Sequence, residues 1–133
     1  TLLSKNKAQQ NIDADKCWVL WFNSTAGLLL QIAELQITEG GWAATKKASL
    51  EALPALDLSK LTAEQIKQLA LLYDELCKDQ VPVLSDQFEQ AAEGNGWRYR
   101  LDTRLLEIQS GEKIELRHLR PLYNLLIEEA KHW

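Results

Sequence analysis

Methionine is absent from this sequence, histidine and cysteine each occur twice, and the three prolines stand alone. Each scarcity removes a class of chemistry. A metal site needs clustered His, Cys or carboxylate ligands, whereas His118 and His132 lie 14 positions apart with no close cysteine pair beside them. Both histidines read as structural surface residues. Cys17 and Cys77 are widely separated, each inside an apolar helical pattern. A disulfide between them is one alternative; two isolated buried thiols in a protein of the reducing cytoplasm is the reading taken here. Glycine-rich phosphate loops are missing too. Gly40-Gly41 and Gly94-Asn95-Gly96 are turn material, and neither follows a strand and opens a helix with the spacing that cradles a dinucleotide. Ser24 lies in no Gly-x-Ser-x-Gly turn, and neither histidine belongs to a readable triad. The expectation is a chain with no catalytic apparatus and no cofactor of its own.

A basic surface is also lacking. The formal net charge is −4, with 5 basic and 6 acidic residues over 1–57, 3 and 7 over 58–95, and 7 and 6 over 96–133. No segment has the basic excess of a domain that grips phosphates unaided, and the middle one should be repelled by nucleic acid. The apolar run from Cys17 to Leu35 is interrupted by Asn23, Ser24, Thr25, Gln31 and Glu34, so it offers no membrane span of ~18 or more apolar residues. A cytoplasmic protein with no membrane contact is expected. A chain of 133 residues that begins at Thr1 is also what a C-terminal fragment of a larger protein would look like.

What is present is helical pattern. Length and an apolar fraction of 46% suit one domain around one core. Residues 1–12 are polar and read as an irregular lead-in. Asp13 or Asp15 could then cap a helix running to about Gln36, continuous through Asn23-Ser24-Thr25-Ala26-Gly27. Trp18, Val19, Leu20, Trp21 and Phe22 make that helix apolar on nearly every face, which predicts burial on more than one side. Residues 42–45 suggest a short strand after Gly40-Gly41, and Ser49 to Leu53 a single helical turn stopped by Pro54. Thr62 and Gln65 have capping-box spacing, opening an amphipathic helix with Ile66, Leu69, Ala70, Tyr73, Leu76 and Cys77 on its inner face. Ser85 is a candidate cap for a short helix through Ala92. Further helices are expected from about Trp97 to Gln109 and from Glu115 to Lys131. In the first of these, Arg98 and Asp102 could form a pair adding ~0.2–0.5 kcal/mol; in the second, Pro121 should kink the helix or mark its first turn. The predicted fold class is therefore mainly α: a single compact helical domain, residues 1–133, of about five helices with at most a short β-strand or hairpin near residues 41–46.

Two local constellations carry the functional interest. Asn23-Ser24-Thr25 places three hydrogen-bonding residues inside an apolar helix, which is costly unless they find partners. The structural reading is that Ser24 and Thr25 bond back to the preceding turn and Asn23 bridges to a loop. The functional one is that Asn23 fixes a loop that meets DNA. Trp42, Lys46 and Lys47 place an aromatic near two cations, a set that can touch a phosphate, or that simply packs and solubilises. Asn23, Ser24, Trp42, Lys46 and Lys47 are thus the candidate contacts to DNA or to a neighbouring loop.

The order of these pieces resembles a known family. Trp21-Phe22-Asn23-Ser24-Thr25-Ala26-Gly27-Leu28-Leu29-Leu30 is followed by Gly40-Gly41-Trp42, then by Lys46-Lys47, Leu50-Glu51-Ala52-Leu53-Pro54 and Leu56-Asp57. A helix beginning Leu61-Thr62-Ala63-Glu64-Gln65 and containing Leu72-Tyr73-Asp74-Glu75-Leu76 comes after. This is similar to the C-terminal, target-recognition or accessory region of N6-adenine DNA methyltransferases of restriction-modification and phage-defence systems. Arg98 to Leu105 resembles the Arg-x-x-Leu-Asp helix that closes those chains, so the likeness spans roughly residues 16–106. The resemblance implies a non-catalytic domain that supports DNA target recognition or braces a catalytic domain lying upstream in the same protein. The family's Gly-rich S-adenosylmethionine loop and its Asn/Asp-Pro-Pro-Tyr/Phe motif have no counterpart here, since Pro54, Pro82 and Pro121 are isolated. S-adenosylmethionine would then belong to the parent protein. The alternative is a helical protein–protein interaction module with no nucleic-acid role.

Overall fold

Six α-helices and one 3-10 turn account for most of the residues described by the computed structural model, which are 2–36 and 56–131, with side chains from 7–32 and 56–131. The helices are α1 (Leu2–Asn23), α2 (Thr25–Gln36), α3 (Ala63–Lys78), α4 (Leu84–Ala92), α5 (Gly96–Ser110) and α6 (Leu116–Ala130), with the 3-10 turn at Leu58–Lys60. The mainly α fold class is as expected, and no strand occurs among the described residues. The expected strand near 41–46 and the helical turn at 49–53 lie outside them.

α5 runs through the middle of the assembly. α1 and α3 pack together and against α5 on one side, burying Cys17, Leu20, Trp21, Leu69, Leu72, Leu76, Leu101 and Leu105. α4 and α6 pack together on the other, with Ala91, Leu119 and Tyr123 between them and Phe88 and Leu126 meeting Leu29 of α2. α2 therefore crosses from one half to the other, and its direction decides whether the two halves close on a common core.

Local chemistry accounts for the element ends. Thr62 Oγ1 accepts from the Gln65 amide at 3.1 Å while Gln65 Oε1 accepts from the Thr62 amide at 2.8 Å, the reciprocal pair expected from the spacing. Gln65 Nε2 also donates to the Ile108 carbonyl at 2.9 Å, tying this start to the end of α5. Gly111, at φ +75°, ends α5 in the left-handed region that a side chain rarely enters. His118 Nδ1 accepts from the Glu115 amide at 3.1 Å and so closes the first turn of α6. Pro121 lies inside α6, beyond the first turn.

Several expectations are corrected. Residues 1–12 are not a lead-in: α1 starts at Leu2, where Lys, Ala and Gln favour helix, so Asp13 and Asp15 lie within it and cap nothing. α4 begins at Leu84 with Val83 as its cap residue rather than Ser85, the phase that buries Gln87, Phe88 and Ala91. Cys17 is buried but Cys77 is exposed, because the inner face of α3 centres on Leu69, Leu72 and Leu76. Nor is the first helix covered all round: Ile12, Trp18, Val19 and Phe22 remain exposed. Finally, the expected single helix to Gln36 is two helices, interrupted at Ser24.

Candidate functional site

The interruption at Ser24 is built from the polar residues that the sequence places there. In an unbroken helix the Thr25 amide would donate to the Trp21 carbonyl and the Gly27 amide to the Asn23 carbonyl. Here the Thr25 amide donates instead to Asp102 Oδ1 at 2.8 Å, and the Gly27 amide to Ser24 Oγ at 3.1 Å. The Trp21 carbonyl accepts from the Ser24 hydroxyl at 2.6 Å. The Phe22 carbonyl accepts from Gln31 Nε2 at 3.0 Å, and the Asn23 carbonyl from Arg98 Nη1 at 2.9 Å. Groups released from the ladder thus find side-chain partners, as buried backbone requires. The bend also explains Gly27. A Cβ there would lie 2.1 Å from the Trp21 carbonyl oxygen, an approach only glycine allows.

Asp102 is the centre of the arrangement. Its Oδ2 accepts from the Thr25 hydroxyl at 2.5 Å and from the Tyr123 hydroxyl at 2.7 Å, in addition to the amide bond made by Oδ1. A carboxylate from α5 therefore caps the N-terminus of α2, where the helix dipole favours negative charge, and holds α6 through the phenol. Arg98, one turn away on α5, donates to the same Thr25 hydroxyl at 3.3 Å and to Gln87 Oε1 at 3.1 Å. Its guanidinium lies over the Phe88 ring, 5.3 Å from the centroid. Gln87 in turn donates to the Pro82 carbonyl at 2.7 Å. All six helices but α3 contribute a group to this buried network.

Burial sets the charges of the site. Loss of water pushes the Asp102 carboxyl above its usual range, opposed by the hydrogen bonds from Thr25, by Arg98 and by Tyr123. Burial lowers Arg98, and the Asp102 charge offsets part of that shift. Tyr123 is pushed up by burial and by the neighbouring carboxylate, so its hydroxyl stays a donor. Arg98 and Asp102 were expected to pair weakly across one helical turn; instead both are buried, at 3% and 2% exposure, and they meet through the Thr25 hydroxyl rather than in a direct ion pair. The signal was present in the sequence. Arg98, Leu101, Asp102 and Leu105 follow the spacing of one helix face, so the two charged residues share the face that the leucines bury.

Among the candidate contact residues, Ser24 is buried and its hydroxyl is used within the chain. Asn23 is exposed, and its amide donates back to the Val19 carbonyl at 2.8 Å. Trp42, Lys46 and Lys47 lie outside the described residues. Thr25, Arg98, Asp102 and Tyr123, which the sequence did not mark as a set, are the ones brought together. Their bonds hold α2 against α5 and α6. Asp102 and the Tyr123 hydroxyl are enclosed, and burial raises the Cys17 thiol to about 11, leaving it a poor nucleophile.

The outer surface has a different character. Trp18 and Phe22 stack with ring centroids 5.9 Å apart, and with Val19 and Ile12 they leave an exposed apolar strip along α1. Beside it lies a cavity of about 260 Å³ lined by Val19, Asn23, Tyr73, Cys77, Val81 and Trp97, among others. Among the described residues no group of three or more potential metal ligands occurs, and no helix is long and apolar enough to cross a membrane. Comparison of the chain with protein-family models, with curated proteins and with solved structures gave no match.

Proposed function

We propose that this chain is a non-catalytic helical module that braces a larger protein by docking on it, and that the larger protein is an adenine-N6 DNA methyltransferase of the restriction-modification type. The methyltransferase part of this reading rests on the order of motifs from Trp21 to Leu105. The docking part rests on one observation: α1 keeps Ile12, Trp18, Val19 and Phe22 exposed on one face while its other side is tied into the core. Large apolar side chains left together on a surface mark contact sites. The polar centre of the motif serves the same reading, because Ser24 and Thr25 spend their hydrogen bonds on fixing α2. A direct DNA contact would fall to Asn23, Trp42, Lys46 and Lys47, against an acidic balance over 58–95. A protein-binding module with no nucleic-acid role is the second reading, favoured by the same exposed face.

The reading frame upstream is the first test. A Gly-rich loop and a Pro-Pro-Tyr or Pro-Pro-Phe motif there support the assignment, and absence of both refutes the methyltransferase half of it. If they are present, the upstream segment is expressed separately and its adenine methylation measured with and without this chain. Added chain should raise activity and co-sediment with the segment. DNA binding by the chain alone that weakens from low to moderate salt would instead support a direct DNA contact; if Lys46→Ala with Lys47→Ala leaves that binding unchanged, those lysines are not its source.

A further inference from the structure

The exposed strip on α1 is not purely apolar. Counting along the helix, Asp15 lies three residues after Ile12, three before Trp18, four before Val19 and seven before Phe22. In a continuous helix this spacing puts one carboxylate in the middle of the apolar face. Asp15 is exposed, and its carboxylate makes no hydrogen bond or ion pair with any described residue. Lys16, its neighbour in sequence, is engaged with Asp74 at 2.8 Å. The strip continues past Val19 through the cavity to Val81, and along the chain to Val83 and Leu84, which are also exposed. Asp86, in the first turn of α4, is exposed and its carboxylate has no partner among the described residues. The surface is thus apolar, aromatic at one end, and carries unpaired negative charge within it.

We infer that this face receives an apolar segment of a partner protein that carries an arginine, with the guanidinium on Asp15 beside the Trp18–Phe22 pair. A carboxylate inside an apolar contact would be stranded by a purely apolar partner, whose binding would strip its water without replacing it. A cation removes that cost. Arginine fits better than lysine: its planar fork pairs with a carboxylate through two bonds, and its face stacks on aromatic rings. Buried aromatic and arginine anchors are also what dominate protein interfaces. This inference deepens the docking half of the proposed function and rests on it, but not on the methyltransferase assignment.

The test uses the intact chain and a synthetic amphipathic helical peptide of about four turns, with leucines at helical spacing and one arginine at the edge of that stripe. Versions with Lys, Gln or Glu in place of the arginine complete the set, and binding is measured by calorimetry. The arginine peptide should bind about tenfold more tightly than the glutamine one, the factor that ~1.4 kcal/mol is worth, with lysine between them and glutamate weakest. Asp15→Asn should abolish the arginine–glutamine difference, whereas Trp18→Ser should weaken both peptides; circular dichroism confirms that each variant stays folded. Equal binding of the arginine and glutamine peptides, or no binding by any of them, overturns the inference. So does a dimer of the chain that Trp18→Ser dissociates, since the occupant would then be a second copy. Binding of the upstream segment that ignores Asp15→Asn sinks this inference and leaves the docking reading standing. An upstream frame without methyltransferase motifs does the reverse to the methyltransferase assignment, and the peptides still decide the face.

Discussion

Removing the Asp102 carboxylate by Asp102→Ala should be among the most damaging single substitutions in this chain. Three donors point at that group: the Thr25 amide, the Thr25 hydroxyl and the Tyr123 hydroxyl. Loss of the α2 cap alone is worth about 1 kcal/mol, and each buried hydroxyl left without an acceptor about 1–3 kcal/mol. Arg98 would in addition keep a buried charge without its neighbour. These contributions overlap, so the expected loss is about 3–5 kcal/mol, a large share of the roughly 5–15 kcal/mol that holds a domain folded. Urea unfolding followed by far-ultraviolet circular dichroism measures it, with an unchanged slope showing that stability rather than compactness moved. The double variant Asp102→Leu with Arg98→Met removes both charges and should lose less than the two singles added together, by about 0.5–3 kcal/mol. A single-variant loss below about 1 kcal/mol, or a cycle that simply adds, would refute the view that Asp102 and Arg98 act as one network.

Three other outcomes are expected. Gly27→Ala forces a Cβ against the Trp21 carbonyl, so it should cost about 1–3 kcal/mol or more; an unchanged thermal midpoint would show that the α1–α2 bend is not required. Because folding raises the Asp102 pKa, the folded state takes up that proton more readily than the unfolded chain. The group therefore adds stability as pH falls from above its folded value toward the ordinary carboxylate range of ~3.9. The deficit of Asp102→Asn relative to the wild type should accordingly widen between pH 7 and about 4, and a deficit that narrows would mean that the hydrogen bonds outweigh burial. Alkylation with iodoacetamide, read by mass spectrometry, should label the exposed Cys77 in the folded chain and the buried Cys17 only after unfolding; equal labelling rates would contradict the packing of α1 on α3.

Much of the secondary structure follows from local chemistry, and those parts could be read directly. The Thr62–Gln65 box, the Gly111 stop and the Leu-rich faces of α3, α5 and α6 are decided by residues within a turn or two of one another. Other features depend on residues far apart in the chain. Asn23-Ser24-Thr25 is costly inside a helix, but whether it stays in the ladder depends on Asp102, 77 residues beyond Thr25. Arg98 and Asp102 share a face with Leu101 and Leu105, yet only the packing of α5 between the two halves turns that face inward. Likewise nothing within α1 says which of its apolar faces the core has room to cover; α3 and α5 take Cys17, Leu20 and Trp21 and leave Trp18, Val19 and Phe22 outside. By itself the sequence determined a mainly helical chain with capped helices and an apolar first segment. Tertiary structure decided where that segment bends, which polar residues are buried and which apolar face is left exposed, because each of those depends on groups far apart in the chain.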